Sequence, residues 1–457
     1  MDFAEYVKGK TILVAGLARS GVSAAKLLDR SGATVLVSDT KTQQEIPEAV
    51  EELRQETGCQ FFLGKNPDDL VRQVDGMVLS PGIPVDSSFV KKALDLGIPV
   101  ISEVELAYRY NKAPIIAITG TNGKTTTTTL VGEMLKAAGK STYVVGNIGV
   151  PFTEVAEKTK ADDVVVAEIS SFQLETIDRF KPAISVLLNI TEDHLNRHKT
   201  MENYIAAKSR IFENQDSRGT VILNRDNDIL SRLEPDTKAQ VFHFSRKKIL
   251  PRGAWVENGQ ILMDIGRGPV RICRTGEVAI PGAHNLENAL AAVLAAGIAG
   301  VEPSVLAGVL KSFPGIEHRI EKVATIRGIT FYNDSKGTNP DSSIKAIEAM
   351  PGPTVLIAGG MDKKSGFSDF VDAFGDRIKA LVLLGETADR ISETAREKGF
   401  QNIYRVDSIQ EAVKKSFALS SSGYNVLLSP ACASWDMFRD YEERGRIFKE
   451  AVRTLGR

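Results

Sequence analysis

Between Ile115 and Thr126 the chain reads Ile-Ile-Ala-Ile-Thr-Gly-Thr-Asn-Gly-Lys-Thr-Thr: an apolar run, a glycine-punctuated loop, then a stretch with helical character. Few folds accept that order. An uncharged run rich in Ile is a strand buried on both faces. A buried strand that turns at once into a helix is the opening half of a crossover unit in a parallel sheet. The same rhythm recurs on both sides. Upstream are the runs Thr11 to Ala15, Thr34 to Ser38, Met77 to Ser80 and Val100 with Ile101, with helical spacing from Val22 to Asp29. Downstream are Val164 to Ala167, Ser185 to Leu188 and Val221 to Leu223, then a helix from Asn285 to Ala299. Phe313-Pro-Gly interrupts the chain, because Pro and Gly together stop a helix. A third series follows: Thr330 to Tyr332, Thr354 to Ala358, Ala380 to Leu384 and Val426 to Leu428. The fold class expected is α/β in three domains, over residues 1–103, 104–314 and 315–457.

Composition removes several classes. Lys plus Arg is 57 and Asp plus Glu is 58, so there is no net positive field for nucleic acid or an anionic membrane. Cys59, Cys273 and Cys432 form no CxxC pair and no metal-type spacing, which suits free thiols in a reducing compartment. The N-terminus, MDFAEYVKGK, lacks the apolar core of a signal peptide. The longest apolar run, Ala289 to Val301, is shorter than the roughly 20 residues that span a bilayer. A cytoplasmic protein with no nucleic-acid partner and no membrane insertion is expected.

The loop after Ile115–Thr119 is suited to phosphate. Gly120 and Gly123 allow backbone N–H groups to turn inward around oxygens, and the helix N-terminus adds positive potential. Lys124 can reach β- and γ-phosphates, and the Thr125 hydroxyl can meet magnesium. A general Walker A loop has glycine six positions before its lysine, where this chain has Ile118. The alternative is an ordinary strand-to-helix turn.

An acid, a histidine and a lysine follow. Glu168, at the end of an apolar run, either caps a turn or faces a cation beside the phosphate loop. Asn189-Ile-Thr-Glu-Asp-His-Leu-Asn-Arg-His198 again follows a strand, and that placement favours a functional over a structural role for His194. Lys208 falls on the apolar face of the stretch Thr200 to Phe212, where it either snorkels outward or meets a partner inside. Asn285 and Asn288, three apart, suit a purine edge or ribose, unless Asn285 is simply a helix cap. Arg319 either clamps phosphate or is an ordinary surface arginine. Tyr332-Asn-Asp-Ser-Lys-Gly-Thr-Asn339, Gly359-Gly-Met-Asp-Lys363 and Leu428-Ser-Pro-Ala-Cys-Ala-Ser434 all end strands, where doubly wound folds bind ligands. Lys363 could pair with a carboxylate, and Ser434 is expected to open a helix that suits one. Gly16-Leu-Ala-Arg-Ser-Gly21, with Asp39 after the next strand, is a partial dinucleotide fingerprint whose middle glycine is replaced by Ala18. Alone it leaves a nicotinamide oxidoreductase open.

Thr119 to Thr126, with its shortened glycine loop, resembles the ATP loop of Mur ligases and folylpolyglutamate synthetases. The other motifs occur in that family's order: Glu168-Ile-Ser-Ser-Phe-Gln173, Asp193-His194, Lys208, His284-Asn285, His318-Arg319, Asn333-Asp-Ser-Lys336 and Ser429-Pro-Ala-Cys-Ala-Ser434. The resemblance is to the Mur ligase family, and the last two motifs are most similar to its D-glutamate-adding members. The Asp-Asn-Pro-Arg signature of the diamino-acid-adding members is absent. The resemblance implies Rossmann-like first and third domains around a P-loop ATPase-like centre. It implies a monomer that couples D-glutamate to UDP-N-acetylmuramoyl-L-alanine through an acyl phosphate made from ATP. ATP would lie on Thr119, Gly120, Thr121, Asn122, Gly123, Lys124, Thr125 and Thr126, with Asn285, Asn288, Arg319 and the ribose contact Asp334. Two Mg2+ sites would draw on Thr125, Glu168, His194 and a carbamylated Lys208, with Lys124 neutralising the phosphoryl group. Arg19, Ser20, Asp39, Thr40, Lys41, Ser80 and Asn147 would hold the UDP substrate, and Thr338, Lys363, Ser434 and Tyr441 the D-glutamate. A relative using another amino acid is the nearest rival.

Overall fold

The computed structural model of the chain describes residues 3–147, 149–233, 237–361 and 366–455. Thr11–Ala15 has four consecutive buried residues, as a strand covered on both faces must. It is the middle strand of a five-stranded parallel sheet ordered Gln60–Leu63, Thr34–Asp39, Thr11–Ala15, Gly76–Leu79, Val100–Ser102. The strand order reverses between Thr11–Ala15 and Gly76–Leu79, so a crevice opens beyond Ala15 and Leu79.

The second sheet has nine strands. Its parallel part runs Gly253–Glu257, Gln240–Ser245, Thr220–Asn224, Ile184–Leu187, Ile115–Thr119, Val164–Glu168, Thr142–Gly146. An antiparallel meander of Gln260–Asp264 and Val270–Arg274 extends the far edge. Ile115–Thr119 lies between Val164–Glu168 and Ile184–Leu187, which gather their C-terminal ends around the glycine loop. Buried residues of these two sheets and of the helices and loops between them form one continuous apolar cluster that includes Val14, Leu28, Phe152, Leu174 and Phe180. Burying each such side chain contributes roughly 1.5–3 kcal/mol, so the shared cluster binds the two sheets into one unit. That unit is Met1–Thr275 with Glu287–Val309.

The other unit, Gly276–Leu286 with Leu310–Arg457, holds a six-stranded sheet. Its order is Glu321–Ile326, Ile329–Asn333, Asn425–Leu428, Thr354–Ala358, Ile378–Leu383, Ile403–Arg405, antiparallel only at the first pair. Period-two alternation is visible in its two cores. Leu356, Ala358, Leu381 and Leu427 face one side, while Val355, Ile357, Val382 and Val426 face the other. Among the described residues no helix is long and apolar enough to cross a membrane.

Candidate active site

The loop from Gly120 to Gly123 enters the helix Lys124–Ala137. Gly123 is the residue before that helix at φ +86°, and a Cβ there would stand 2.2 Å from Asn288 Oδ1, so only glycine fits. Asn189 holds the loop from below. Thr121 N donates to Asn189 O, Asn122 N donates to Asn189 Oδ1, and Asn189 Nδ2 donates to Asn122 O. The Tyr204 hydroxyl lies 3.2 Å from Thr121 Oγ1, which also donates to Thr191 O. Sequence alone gives Asn189 and Tyr204 no role, because partners 67 and 83 residues from the loop leave no local pattern. Lys124 Nζ folds back to donate to Gly120 O and Thr121 O, 2.8 Å each. Thr125 and Thr126 are buried in the first helical turn, and Thr119 Oγ1 is buried with no partner.

Glu168 ends the adjoining strand, opposite Ile118. It is buried; its Oε1 accepts from Asn147 Nδ2 at 2.9 Å and its Oε2 has no partner. A buried carboxylate oxygen left open beside a phosphate-type loop is chemically suited to a divalent cation. Lys208 does not snorkel. It is 2% exposed, donates to Gly120 O at 3.0 Å, and stands over the Tyr204 ring. Burial, then the charge of Lys124, drives its pKa well below the ordinary lysine value. The Lys208 amine is thus inclined to be neutral, the form that reacts with CO2.

His194 adopts φ +54° before a short helical turn, and its exposed ring meets Phe172 edge-on at 4.8 Å. The turn is fastened by its neighbours. His198 Nε2 lies 2.9 Å from Ser171 Oγ. Arg197 donates to Glu175 and, at 2.8 Å, to Ile83 O. Glu168, Lys208 and the loop are therefore brought together, while His194 sits on the open side of the same region.

The crevice at the end of the first sheet is a cleft of about 420 Å³ lined by Arg19, Ser20, Asp39, Lys41, Ser80 and Asn147 among others. Gly21 packs its helix on the strand end, since a Cβ there would meet Gly16 O at 1.8 Å. Several predicted residues are committed to the protein itself. Asp39 accepts from Leu17 N and Lys41 N, and the Ser80 hydroxyl donates to Gly16 O. Arg19, Lys41 and Thr40 are exposed. The helix Arg19–Arg30 has no side-chain cap, which leaves its first N–H groups directed at the cleft end.

Asn285 does not cap its helix. The helix spans Ala283–Ile298, and Asn285 lies in its first turn with Nδ2 donating to Pro281 O. Asn288, one turn on, backs the phosphate loop through Thr127 Oγ1 at 3.5 Å. In the other unit, Arg319 lies near enough to His284 to reinforce the effect of burial, which pushes that imidazole down to about 3. Asp334 accepts from Ser429 Oγ at 2.6 Å and from Ile320 N, and burial pushes its carboxyl up to about 7. Thr338 is half-buried just ahead of the helix Pro340–Ala349. Lys363 lies outside the described residues.

Ser434 corrects the sequence expectation. It opens a single turn, accepting from Met437 N and Phe438 N, and the helix starts only at Tyr441. Asp440 is the reason: its side chain accepts from Glu443 N, and Glu442 and Glu443 fill the first turn. Tyr441 stacks edge-on to His318, and Lys336 Nζ lies 3.4 Å from its hydroxyl. Arg444, buried and unforeseen, donates to Ser335, Cys432 and Ala433 and so ties two strand-end loops together. Among the described residues the one cluster with metal-ligand spacing is Glu317, His318 and Glu321, but Lys449 Nζ already lies 2.7 Å from both glutamates.

Comparison with known proteins assigns the family. Residues 10–102 match the N-terminal domain of MurD-like Mur ligases, 118–296 the Mur ligase middle domain, and 318–432 the Mur ligase glutamate ligase domain. A UDP-N-acetylmuramoylalanine–D-glutamate ligase from Thermoanaerobacter sp. (strain X514) is 51% identical over 99% of this chain and 100% of its own. The ligase of that name from Clostridioides difficile is 47% identical over 98% and 99%. Among solved structures, a UDP-N-acetylmuramate–alanine ligase from Thermotoga maritima superposes with a TM-score of 0.60 at 20% identity, over 98% of this chain and 99% of that one. A MurF ligase from the same organism, in complex with ADP, gives 0.58 at 14%, over 100% and 98%. The chain is a ligase of the Mur ligase family.

Proposed function

We propose that this chain joins D-glutamate to UDP-N-acetylmuramoyl-L-alanine in peptidoglycan precursor synthesis, with ATP cleaved to ADP and phosphate. The observation that carries the reading is full-length identity of 47–51% to relatives bearing that name. The open strand end around Gly120, Lys124 and Glu168 supports it. In the first step a carboxylate oxygen of the muramoyl substrate attacks the γ-phosphorus and ADP leaves. In the second the D-glutamate amine attacks the acyl carbon, phosphate leaves, and the nitrogen gives up a proton to form the amide.

Residues 1–103 are assigned to the UDP end, 104–314 to ATP and 315–457 to D-glutamate. The Gly120–Thr126 backbone cradles phosphate, and Lys124 exchanges its two carbonyl partners for phosphoryl oxygens. Mg2+, held by Thr125, Glu168, His194 and Lys208 as its carbamate, would neutralise charge on the transferring group. Asn285, Asn288, Arg319 and Asp334 are assigned to the nucleoside and phosphates of ATP. Arg19, Ser20 and the uncapped helix N-terminus are assigned to the diphosphate of the acceptor, with Asp39, Thr40, Lys41, Ser80 and Asn147 around it. Thr338, Lys363, Ser434 and Tyr441 are assigned to D-glutamate. The enzyme works as a monomer in the cytoplasm.

The test is ADP release with purified protein, UDP-N-acetylmuramoyl-L-alanine and each glutamate enantiomer. Release should require the muramoyl nucleotide and be sustained by D-glutamate. Equal turnover with L-glutamate, or with another amino acid alone, would reject the assignment.

A further inference from the structure

Glu103 is the most conspicuous buried acid that the proposed chemistry leaves unused. It begins the helix Glu103–Tyr110, which Ser102 caps, and it is 3% exposed. It lines the cleft at the end of the first sheet together with Gln173 and Asn147. Its Oε1 accepts from Gln173 Nε2 at 2.7 Å. That amide cannot turn round, because Gln173 Oε1 accepts from Ser170 N and Ser170 Oγ. Glu103 Oε2 is buried and makes no well-formed hydrogen bond, and among the described residues the only other donors near the carboxyl are its own backbone N–H and that of Val104. An acceptor buried and left open destabilises the fold. The cost is relieved if a ligand brings the donor.

Position along the cleft says which part of the ligand does so. Asp39 and Lys41 lie at one side, after the strand Thr34–Asp39. Asn147 lies at the other, bonded to Glu168, and Gln173 follows five residues after Glu168 in the chain. Glu103, joined to Gln173, therefore belongs to the side nearest the phosphate loop. A nucleotide-sugar acid whose uridine lies by Asp39 and whose carboxylate reaches toward Glu168 must pass its sugar across this side. The diphosphate is excluded as a partner, since it offers a carboxyl no donor and repels its charge. Burial pushes the Glu103 carboxyl up to about 7, and a donor at Oε2 would favour the charged form again.

We infer that Glu103 is a specificity-determining residue for the acceptor: its Oε2 accepts a hydrogen bond from a hydroxyl or amide N–H on the sugar of the bound nucleotide-sugar. This rests on the proposed function, which places that substrate in the cleft.

Glu103→Gln isolates the effect. The new amide oxygen must face Gln173 Nε2, so an NH2 group replaces the free acceptor and opposes the ligand's donor. Calorimetric titrations of wild type and Glu103→Gln with UDP, and with UDP-N-acetylmuramoyl-L-alanine, read it directly. UDP should bind both proteins alike, while the full acceptor should bind the variant about tenfold more weakly or worse, with KM for ATP unchanged. Glu103→Asp, which keeps the charge but withdraws it, should show the same selective loss and serves if the Gln variant unfolds. Equal acceptor affinity in variant and wild type would overturn the inference and leave the proposed function standing. Parallel weakening of UDP and acceptor would also overturn it, because the residue would then only shape the cleft. Failure of wild type to bind either ligand would instead overturn the nucleotide-sugar reading on which it depends.

Discussion

The strand ends of the central sheet and of the third sheet are both polar, but their hydrogen bonding differs in kind. Around the glycine loop, Thr119 Oγ1, Glu168 Oε2 and Thr191 Oγ1 are buried with no partner. At the third sheet, Asp334, Ser429 and Ser343 bond one another, and Arg444 satisfies the carbonyls of Ser335, Cys432 and Ala433. Open buried valences are costly, so a fold that keeps them has a ligand to complete them. Closed networks of the same residue types hold loops in place. Between these two strand ends, what sets the glycine-loop end apart is not buried polarity but buried polarity left unsatisfied.

Breaking the open end should cost activity and leave stability nearly untouched. Lys124→Ala removes the one flexible cation of the loop and should lower turnover on the order of 10³-fold, with acceptor binding retained by calorimetry. Near-normal turnover would mean the loop is not the phosphate site. Glu168→Gln should lower turnover about 10²-fold while moving thermal unfolding very little, because an unpartnered oxygen contributes no bond to lose. A large drop in melting temperature would show that Glu168 belongs to the scaffold. Lys208→Ala should lose activity and regain part of it in formate or acetate, as small carboxylates replace a carbamate. Full loss without rescue would leave Lys208 as a packing residue.

Breaking the closed end should show first in stability. Arg444→Met leaves the buried carbonyls of Ser335 and Cys432 without a donor, at ~1–3 kcal/mol each, while Ala433 O keeps Met361 N, so about 2 kcal/mol or more of local stability should vanish. Faster amide hydrogen exchange around Ser335 and Cys432 would report it, and Arg444→Lys should not restore it, since an ammonium cannot reproduce the planar fork. The smallest effect concerns pH. Asp334 titrates at about 7 when folded against 3.8 as a free side chain, so the folded state holds its proton more tightly. Its contribution to stability is greatest below pH 3.8, declines as pH rises, and is lost above about 7. Asp334→Asn should flatten that decline in hydrogen exchange of the third sheet. An unchanged slope would place the titration elsewhere.

What the sequence disclosed follows the same division. Central strands such as Ile115–Thr119 and Thr354–Ala358 were legible because both faces are buried and the run is wholly apolar. Several peripheral strands were not, although the edge strand Val100–Ser102 was. Gln60–Leu63 and Ile403–Arg405 are short and half-exposed, and Gln260–Asp264, one strand in from its edge, alternates as a meander. The glycine loop was legible because its chemistry is local in the chain. The partners Asn189, Tyr204 and Glu103 meet their targets only after dozens of intervening residues have folded, so no spacing announces them. Ser434 misled because it is a good cap in isolation, and Asp440 with two glutamates after it is a better one.

On the proposed function, the open strand end activates a carboxylate by moving a phosphoryl group onto it. The direct measurement is a turnover with UDP-N-acetylmuramoyl-L-alanine carrying 18O in its carboxylate, followed by mass analysis of the released phosphate. One 18O atom is expected in that phosphate, because the attacking oxygen stays on phosphorus when the amine displaces it. Unlabelled phosphate from the same productive turnover would contradict it.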